Sequence, residues 1–429
     1  MAVLGVSQPT LSRAIQRLGP AVTTFKPQGE RTPRYALLRP LPDGLPPRQR
    51  IYRVLRSGSI EPFADVEFLV GGATLERIGK LARLYEGLPP YMVFAAPSGF
   101  LGRQVAGQAS RGQPSLPVSL KDWGDYHRVV YLFLHGTNTP GNLLYGELPV
   151  QQSLNLRQIV PTTVAEKLGH YDAMAAMLRE ASHGSSAGGE QPKFLARVED
   201  AGHVIVKFAR RGSRMAELLP LEHLALKALA DVGVPAATTQ LLASSEHVFL
   251  EVQRFDRVGP HGRLGMLSAG AVDDEFFGLR DTWSQFARRC AQAGYISAAH
   301  ARLIDVMAAF SELIGNTDRH FENLSLLIGE DGEYAGVAPA YDILPMRYAS
   351  IGGGVDPALR PITPQLGAVG AQPAVWLPAA RAAEQFWSAV QTAELAAPIS
   401  QPWRQLAETN RQVARDFVQP LLPDVPVGR

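Results

Sequence analysis

Cysteine is almost absent from this chain. Cys290 stands alone in 429 residues and cannot close an intramolecular disulfide, which favours a reducing compartment and offers no thiol chemistry. Long apolar runs are missing as well. No stretch reaches the ~18 residues a membrane helix needs, and residues 1–18 lack a basic segment followed by an apolar run. The expectation is a cytoplasmic chain with no membrane partner. There is no Cys/His cluster and no His-Glu-x-x-His, which argues against a transition-metal site. Acids are scarce at one end. Residues 1–60 hold ten Lys/Arg against only Glu30 and Asp43, so that segment carries +8 while the remainder carries −6. A basic end on an acidic body points to a polyanion for that end; the plainer alternative is a solvated basic face.

The remaining composition is that of an ordinary globular protein, 46% hydrophobic and 19% charged, long enough for about three domains. At the start, Ser7 is suited to cap a helix with Pro9 in its first turn, where a missing N–H costs nothing. Val6, Leu11, Ile15 and Leu18 recur at helical spacing, and Gly19 ends the run. Gln8, Thr10, Ser12, Arg13 and Arg17 fall on the other faces, able to reach bases and phosphates as the second helix of a helix-turn-helix does. The segments 22–26 and 35–38, joined through Pro27-Gln28-Gly29, read as the two strands of a wing. A complete motif needs a helix before Gly5, so the module, residues 1–40, is expected to be partial. The alternative is a surface helix and hairpin with no DNA function.

A Pro/Gly linker covers 41–47. Residues 48–160 read as an α+β module with short strands at 66–70, 91–95 and 129–134 and no catalytic grammar. From about 161 the order changes: a Gly/Ser loop at 182–189, strands at 194–198 and 203–208, a helix over 218–232, and strands at 239–243 and 248–254. That is a small sheet with one helix, as in the N-lobe of a protein kinase. Helical patterns fill 281–314 and 374–421, and the Ala/Gly/Pro-rich stretch 352–380 reads as loop.

The segment Asn316-Thr317-Asp318-Arg319-His320-Phe321-Glu322-Asn323 carries the chemistry. A carboxylate followed five positions later by a carboxamide is the layout of a phosphoryl-transfer loop, in which Asp318 orients the acceptor hydroxyl and takes its proton while Asn323 holds Mg²⁺. Asp342, in Tyr341-Asp342-Ile343, comes in the right order to be the second ligand; hard Mg²⁺ takes carboxylate and amide oxygens and completes its shell with water and phosphate. Asp318 could equally cap a turn. Lys207 lies inside the apolar run Val204-Ile205-Val206-Lys207-Phe208. Buried there it needs a counter-charge, which a phosphate, or Glu222 on the next helix, supplies; at an edge it would simply face water. The glycines of Ser185-Ser186-Ala187-Gly188-Gly189-Glu190-Gln191-Pro192-Lys193 allow backbone N–H groups close to phosphate oxygens. Without Ser/Thr after Lys193 it is not a Walker A loop.

Taken together, that Gly loop, the Lys207 strand, Gln253-Arg254-Phe255-Asp256-Arg257 and the two catalytic stretches make the chain resemble the HipA family of bacterial Ser/Thr kinase toxins, over residues 160–350. The basic N-terminus is similar to the YjjJ-type subgroup, which fuses its own DNA-binding module to the kinase. The resemblance implies an α+β, kinase-like bilobal fold, with an N-terminal α+β subdomain at 48–160, an N-lobe at 161–257 and a C-lobe at 258–429. It implies ATP and Mg²⁺ as cofactors. By position, Asp318 would be the proton acceptor and Asn323 and Asp342 the metal ligands. His320 and Tyr341 would line the nucleotide site, with Gly188 and Gly189 at the phosphates. Lys207 would contact the α- and β-phosphates, and Gln253 and Phe255 would form the adenine hinge through backbone groups. Ser185, or else Ser186, would be the autophosphorylated loop serine. The implied partners are a protein substrate such as a translation factor or an aminoacyl-tRNA synthetase, DNA, and an antitoxin. Two other readings stay open. One is a transcriptional regulator whose kinase-like body only senses a nucleotide. The other is a small-molecule kinase of the aminoglycoside-phosphotransferase kind, which shares the Asp…Asn…Asp grammar.

Overall fold

The computed structural model describes residues 7–26, 31–181, 191–351 and 355–422, with side chains left out of account at 179–181. The chain divides into two units, one of residues 1–98 and 102–158, the other of 99–101 and 159–429.

In the first unit a five-stranded antiparallel sheet runs, from edge to edge, Leu81–Tyr85, Thr74–Ile78, Ile60–Phe68, Arg48–Val54 and Leu143–Tyr145. Its core joins Ile51, Val66 and Phe68 to Met92, Val129, Leu132 and Phe133. Those last residues sit on helices, Pro90–Ala95 and Asp125–His135, where strands were expected at 91–95 and 129–134. The reason is local. Pro90 opens its helix at a position whose N–H would be unpaired anyway, and Val129, Val130, Leu132 and Phe133 are buried at helical rather than alternating spacing. The expected strand at 66–70 is the end of a longer one, Ile60–Phe68.

The N-terminal helix runs Gln8–Leu18. The Ser7 hydroxyl accepts from Thr10 N at 3.4 Å, and Gly19 ends the helix at φ 51°. No side chain on this helix is buried. The strands Val22–Phe25 and Arg34–Leu37 pair antiparallel. Phe25 and Leu38 pack on Leu69 and Leu75, and Thr23 donates to Glu67 at 2.5 Å, so the hairpin is seated on the first unit's sheet.

The second unit contains an antiparallel sheet ordered Thr239–Ala243, His247–Gln253, Gly202–Arg210, Lys193–Val198. Both faces are covered. Helix Arg214–Asp231 packs Leu218, Leu221 and Leu229 with Leu250 and Val252 on one side, while Tyr171 meets Phe194, Phe208 and Phe249 on the other. That burial explains why the strands read as continuous apolar runs. The helix starts four residues before the expected 218, where the Ser213 hydroxyl accepts from Ala216 N at 3.2 Å. A three-stranded sheet, Gly265–Ser268, Ser325–Ile328 and Tyr334–Val337, and the helices Trp283–Gln292, Ala298–Ile314, Pro373–Thr392 and Gln401–Val418 form the rest around Phe310, Trp376, Phe386 and Trp387. Residues 374–380, where the expected helix at 374–421 overlapped the expected loop at 352–380, are helical, in a helix that again opens on proline. The two parts of this unit are tied by backbone bonds from Ala237 N to Ala340 O (2.9 Å) and Ala340 N to Pro235 O (2.8 Å). That tie places Tyr341 and Asp342 directly beside the small sheet. Among the described residues no helix is long and apolar enough to cross a membrane.

Candidate active site

Helix Ala298–Ile314 aims the catalytic segment. It stops at Gly315 in the left-handed region (φ 76°, ψ 34°), which turns the chain sharply out of the helix. Asn316 is buried, its N–H donating to Ser311 O at 2.8 Å and its Oδ1 accepting from Asp318 N at 3.0 Å. This Asx-type bond presents the Asp318 carboxylate, which is partly exposed. Asn323 closes the turn from the far side: its Nδ2 donates to Asp318 O at 3.0 Å and to Asp318 Oδ2 at 3.4 Å. With its amide nitrogen so used, Asn323 offers an oxygen to a cation. Trp283 donates its indole N–H to His320 O at 3.1 Å. Tyr341, four residues past the strand Tyr334–Val337, ties the segment, donating to Glu322 O at 2.8 Å and meeting Ser325 Oγ at 2.7 Å.

Lys207 is buried on the middle of the small sheet. Its Nζ donates to Glu222 Oε1 at 2.5 Å and to Asp342 Oδ1. Burial pushes the ammonium down, to about 8, against the opposing charges of Glu222 and Asp318. Asp342 sits at φ 54°, a conformation uncommon outside glycine and one that Asp and Asn tolerate best. Lys207 therefore feels all three carboxylates: Glu222 and Asp342 by contact, Asp318 through its field.

Around Asp318 the charges form a chain. His320 lies 3.7 Å from Asp318 Oδ2 and 3.2 Å from Glu322 Oε2. Arg280 donates to Glu322 at 2.5 Å and pairs with Asp274 at 2.6 Å. The bond to Glu322 raises His320 above its ordinary value, with the Asp318 charge helping and burial opposing. The bond from His320, with Arg280 behind it, lowers Glu322 to about 2.

The structure thus brings Asp318, His320, Asn323, Tyr341, Lys207 and Asp342 to one place. Gln253 is exposed at its strand's end with its N–H donating to Thr238 O at 2.8 Å, and the Phe255 ring lies 5.7 Å from the Tyr341 ring. Ser185, Ser186, Gly188 and Gly189 lie outside the described residues. Gln8, Thr10, Ser12, Arg13 and Arg17 are all exposed on the first unit's helix. One participant was not singled out in the sequence. Lys193 pairs with Lys207 across the ladder, and its charge opposes protonation of both Lys207 and His320. Its place directly after the Gly loop, at the first position of a strand, was the available signal. The Arg-Phe-Asp-Arg stretch is a buried ion cluster, with Asp256 taking Arg254 and Arg257 each at 2.7 Å.

A cation fits this donor set. Asn323 and Asp342 supply hard oxygens, and a Mg²⁺ site of the kinase type takes only one or two protein ligands, the rest coming from phosphate and water. Among the described residues there is no group of three or more His, Cys, Asp and Glu arranged around a metal.

Comparison with known proteins adds three findings. Residues 185–419 match the HipA-like C-terminal domain, and residues 45–154 match the middle domain of YjjJ-like toxins. Toxin YjjJ of Escherichia coli is 33% identical over 423 residues, covering 94% of this chain and 91% of that protein. Among solved structures, a chain of the Shewanella oneidensis toxin–antitoxin complex of HipA, HipB and operator DNA superposes with a TM-score of 0.56 at 13% identity, covering 86% of this chain and 97% of that one.

Proposed function

The chain belongs to the HipA-like family, in its YjjJ-like branch, and from that premise we propose that it is an ATP- and Mg²⁺-dependent Ser/Thr protein kinase of toxin type. One observation carries the proposal: Lys207, held by Glu222, touches Asp342 while Asp318 and Asn323 share one turn beside them. Phosphoryl transfer asks a protein mainly for alignment and charge, and these side chains supply both.

In this reading Asp318 accepts the proton of the attacking hydroxyl as the new P–O bond forms and the bond to ADP breaks. Asn323 fixes the Asp318 carboxylate so that its free oxygen faces the hydroxyl. Lys207 neutralises phosphate charge, with Lys193 close by. Asn323 and Asp342 would hold Mg²⁺, which when bound neutralises charge developing on the phosphates. The Gln253–Phe255 strand end would carry the adenine, and Ser185 or Ser186 would be the self-modified serine. In this reading residues 161–257 and 258–429 are the two lobes of the kinase, and they follow the 48–160 module in the sequence. The exposed basic helix Gln8–Leu18 would bind DNA through Gln8, Thr10, Ser12, Arg13 and Arg17, and an antitoxin and a protein substrate complete the partners.

The test is labelling with γ-³²P-ATP of the protein and of cell extract, comparing wild type with Asp318→Ala. The wild type should label a protein and the variant should not; equal labelling removes Asp318 from the mechanism. DNA binding is tested separately: Arg13→Ala and Arg17→Ala should each weaken binding and reduce its salt slope by about one.

A further inference from the structure

A cavity of about 410 Å³ opens beside Asp318, within the range of ligand sites. Trp283, Ser284, Ala308, Leu366 and Val369 are among the residues that line it. Lys207, Asn323 and Asp342 do not line it. Asp318 therefore borders two regions at once. One holds the lysine and the cation ligands. The other, this cavity, meets the same carboxylate from a different side.

Most of the polar side chains lining the cavity already have partners inside the protein. Glu312 pairs with Arg319 at 2.6 Å and Asp281 with Arg289 at 2.6 Å. The Thr282 hydroxyl donates to Gln285 Oε1 at 2.8 Å and accepts from Gln285 N at 3.3 Å. Ser284 bonds Asp305, the Trp283 N–H is given to His320 O, and Ala368 O accepts from Arg288. What remains for a visitor is aliphatic surface from Ala308, Leu366 and Val369, next to a carboxylate able to take a hydroxyl proton.

We propose that this cavity is the acceptor subsite, receiving an uncharged aliphatic side chain that lies within a residue or two of the phosphorylated Ser or Thr. Filling it docks the segment so that the hydroxyl arrives at Asp318. The proposal rests on the kinase reading above and specifies its substrate class: a protein segment with a hydroxyl flanked by an aliphatic residue.

The full-length protein is given γ-³²P-ATP, Mg²⁺ and a degenerate serine-centred peptide library in which each flanking position is fixed in turn. ATP·Mg²⁺ binding is followed in parallel by thermal shift. Leu366 is exposed enough to change without unfolding the chain, and it belongs to none of the nucleotide-side machinery. Wild type should prefer Leu, Ile, Val or Met at one flanking position. Leu366→Glu should lose that preference about tenfold and move it toward Lys or Arg, with ATP affinity unchanged, while Leu366→Met keeps the wild-type pattern. Labelling indifferent to the flanking residue, an unaltered Leu366→Glu pattern, or ATP binding without any peptide labelling would each overturn the subsite. Absence of both ATP binding and labelling would instead remove the kinase reading itself.

Discussion

Lys207 and Asp342, 135 positions apart, meet through Nζ and Oδ1, with Glu222 on the other side of the same ammonium. Glu222 is 1% exposed, so this lysine is its only route to a counter-charge among the bonds of the described residues. Replacing Lys207 by Met should strand a carboxylate in the core and cost about 3–5 kcal/mol, whereas the double change with Glu222→Leu should recover most of it. Urea unfolding of the three proteins reads this directly. A loss below about 1 kcal/mol in Lys207→Met would mean that Glu222 is satisfied elsewhere.

Asp342 carries a backbone requirement as well as a chemical one. At φ 54° an Asn is accommodated about as well as an Asp, so Asp342→Asn should fold with little change in melting temperature. It should nevertheless raise the Mg²⁺ concentration needed for half-maximal labelling and lower the rate by orders of magnitude, because a carboxylate on the cation is replaced by a neutral amide. Initial rates across a Mg²⁺ titration decide it. An unchanged half-saturation point would take Asp342 out of the metal site.

The candidate site was legible because its residues declare themselves by type and order. Asp318 and Asn323 stand five apart on one turn, Lys207 interrupts an apolar strand, and Glu222 is one of the acids on the next helix. The sheet of the second unit was legible for a related reason: its strands are short, apolar and separated by turn residues. The first unit was harder. Residues 91–95 and 129–134 are short apolar runs, and such runs do not distinguish a strand from the buried face of a helix. Lys193 was missed because its place at the start of a strand after the Gly loop is a weak signal, and only the ladder register puts it opposite Lys207. The cavity beside Asp318 was invisible for the same reason, since its walls come from residues near 283, 308 and 368, which only the folded chain assembles.

Gly315 is a second backbone hinge. At φ 76° a Cβ would be strained, and it would meet Arg347 Cδ at 2.7 Å and Ile362 Cγ2 at 3.1 Å. Gly315→Ala should destabilise by about 1–2 kcal/mol and lower the labelling rate by tilting Asp318, while ATP binding changes little. Thermal unfolding and single-turnover labelling together check this. A variant as stable and as fast as wild type would show that the turn out of the helix tolerates a side chain.

His320 and Glu322 set a pH window. His320 is raised above its ordinary 6.5, first by its bond to Glu322, so its contribution to stability is complete below 6.5 and disappears as pH climbs through the raised value. Glu322 is lowered from 4.5 to about 2, first by its bond to His320, so its contribution is complete above 4.5 and disappears as pH falls through about 2. Both contributions are complete together between about 4.5 and 6.5. Their side chains are 48% and 51% exposed, so water and salt screen the pair and its effect on global stability is small. The local effect is on Asp318, 3.7 Å from the imidazole. A protonated His320 puts a positive charge beside the carboxylate that has to take up the hydroxyl's proton. Glu322→Gln should therefore move the His320 titration downward, seen as the pH midpoint of its imidazole proton resonance by NMR. The labelling rate should then rise toward its plateau at a lower pH than in wild type, and 1 M salt should shrink the difference between the two proteins. Superimposable titration curves would show that Glu322 does not set the charge beside Asp318.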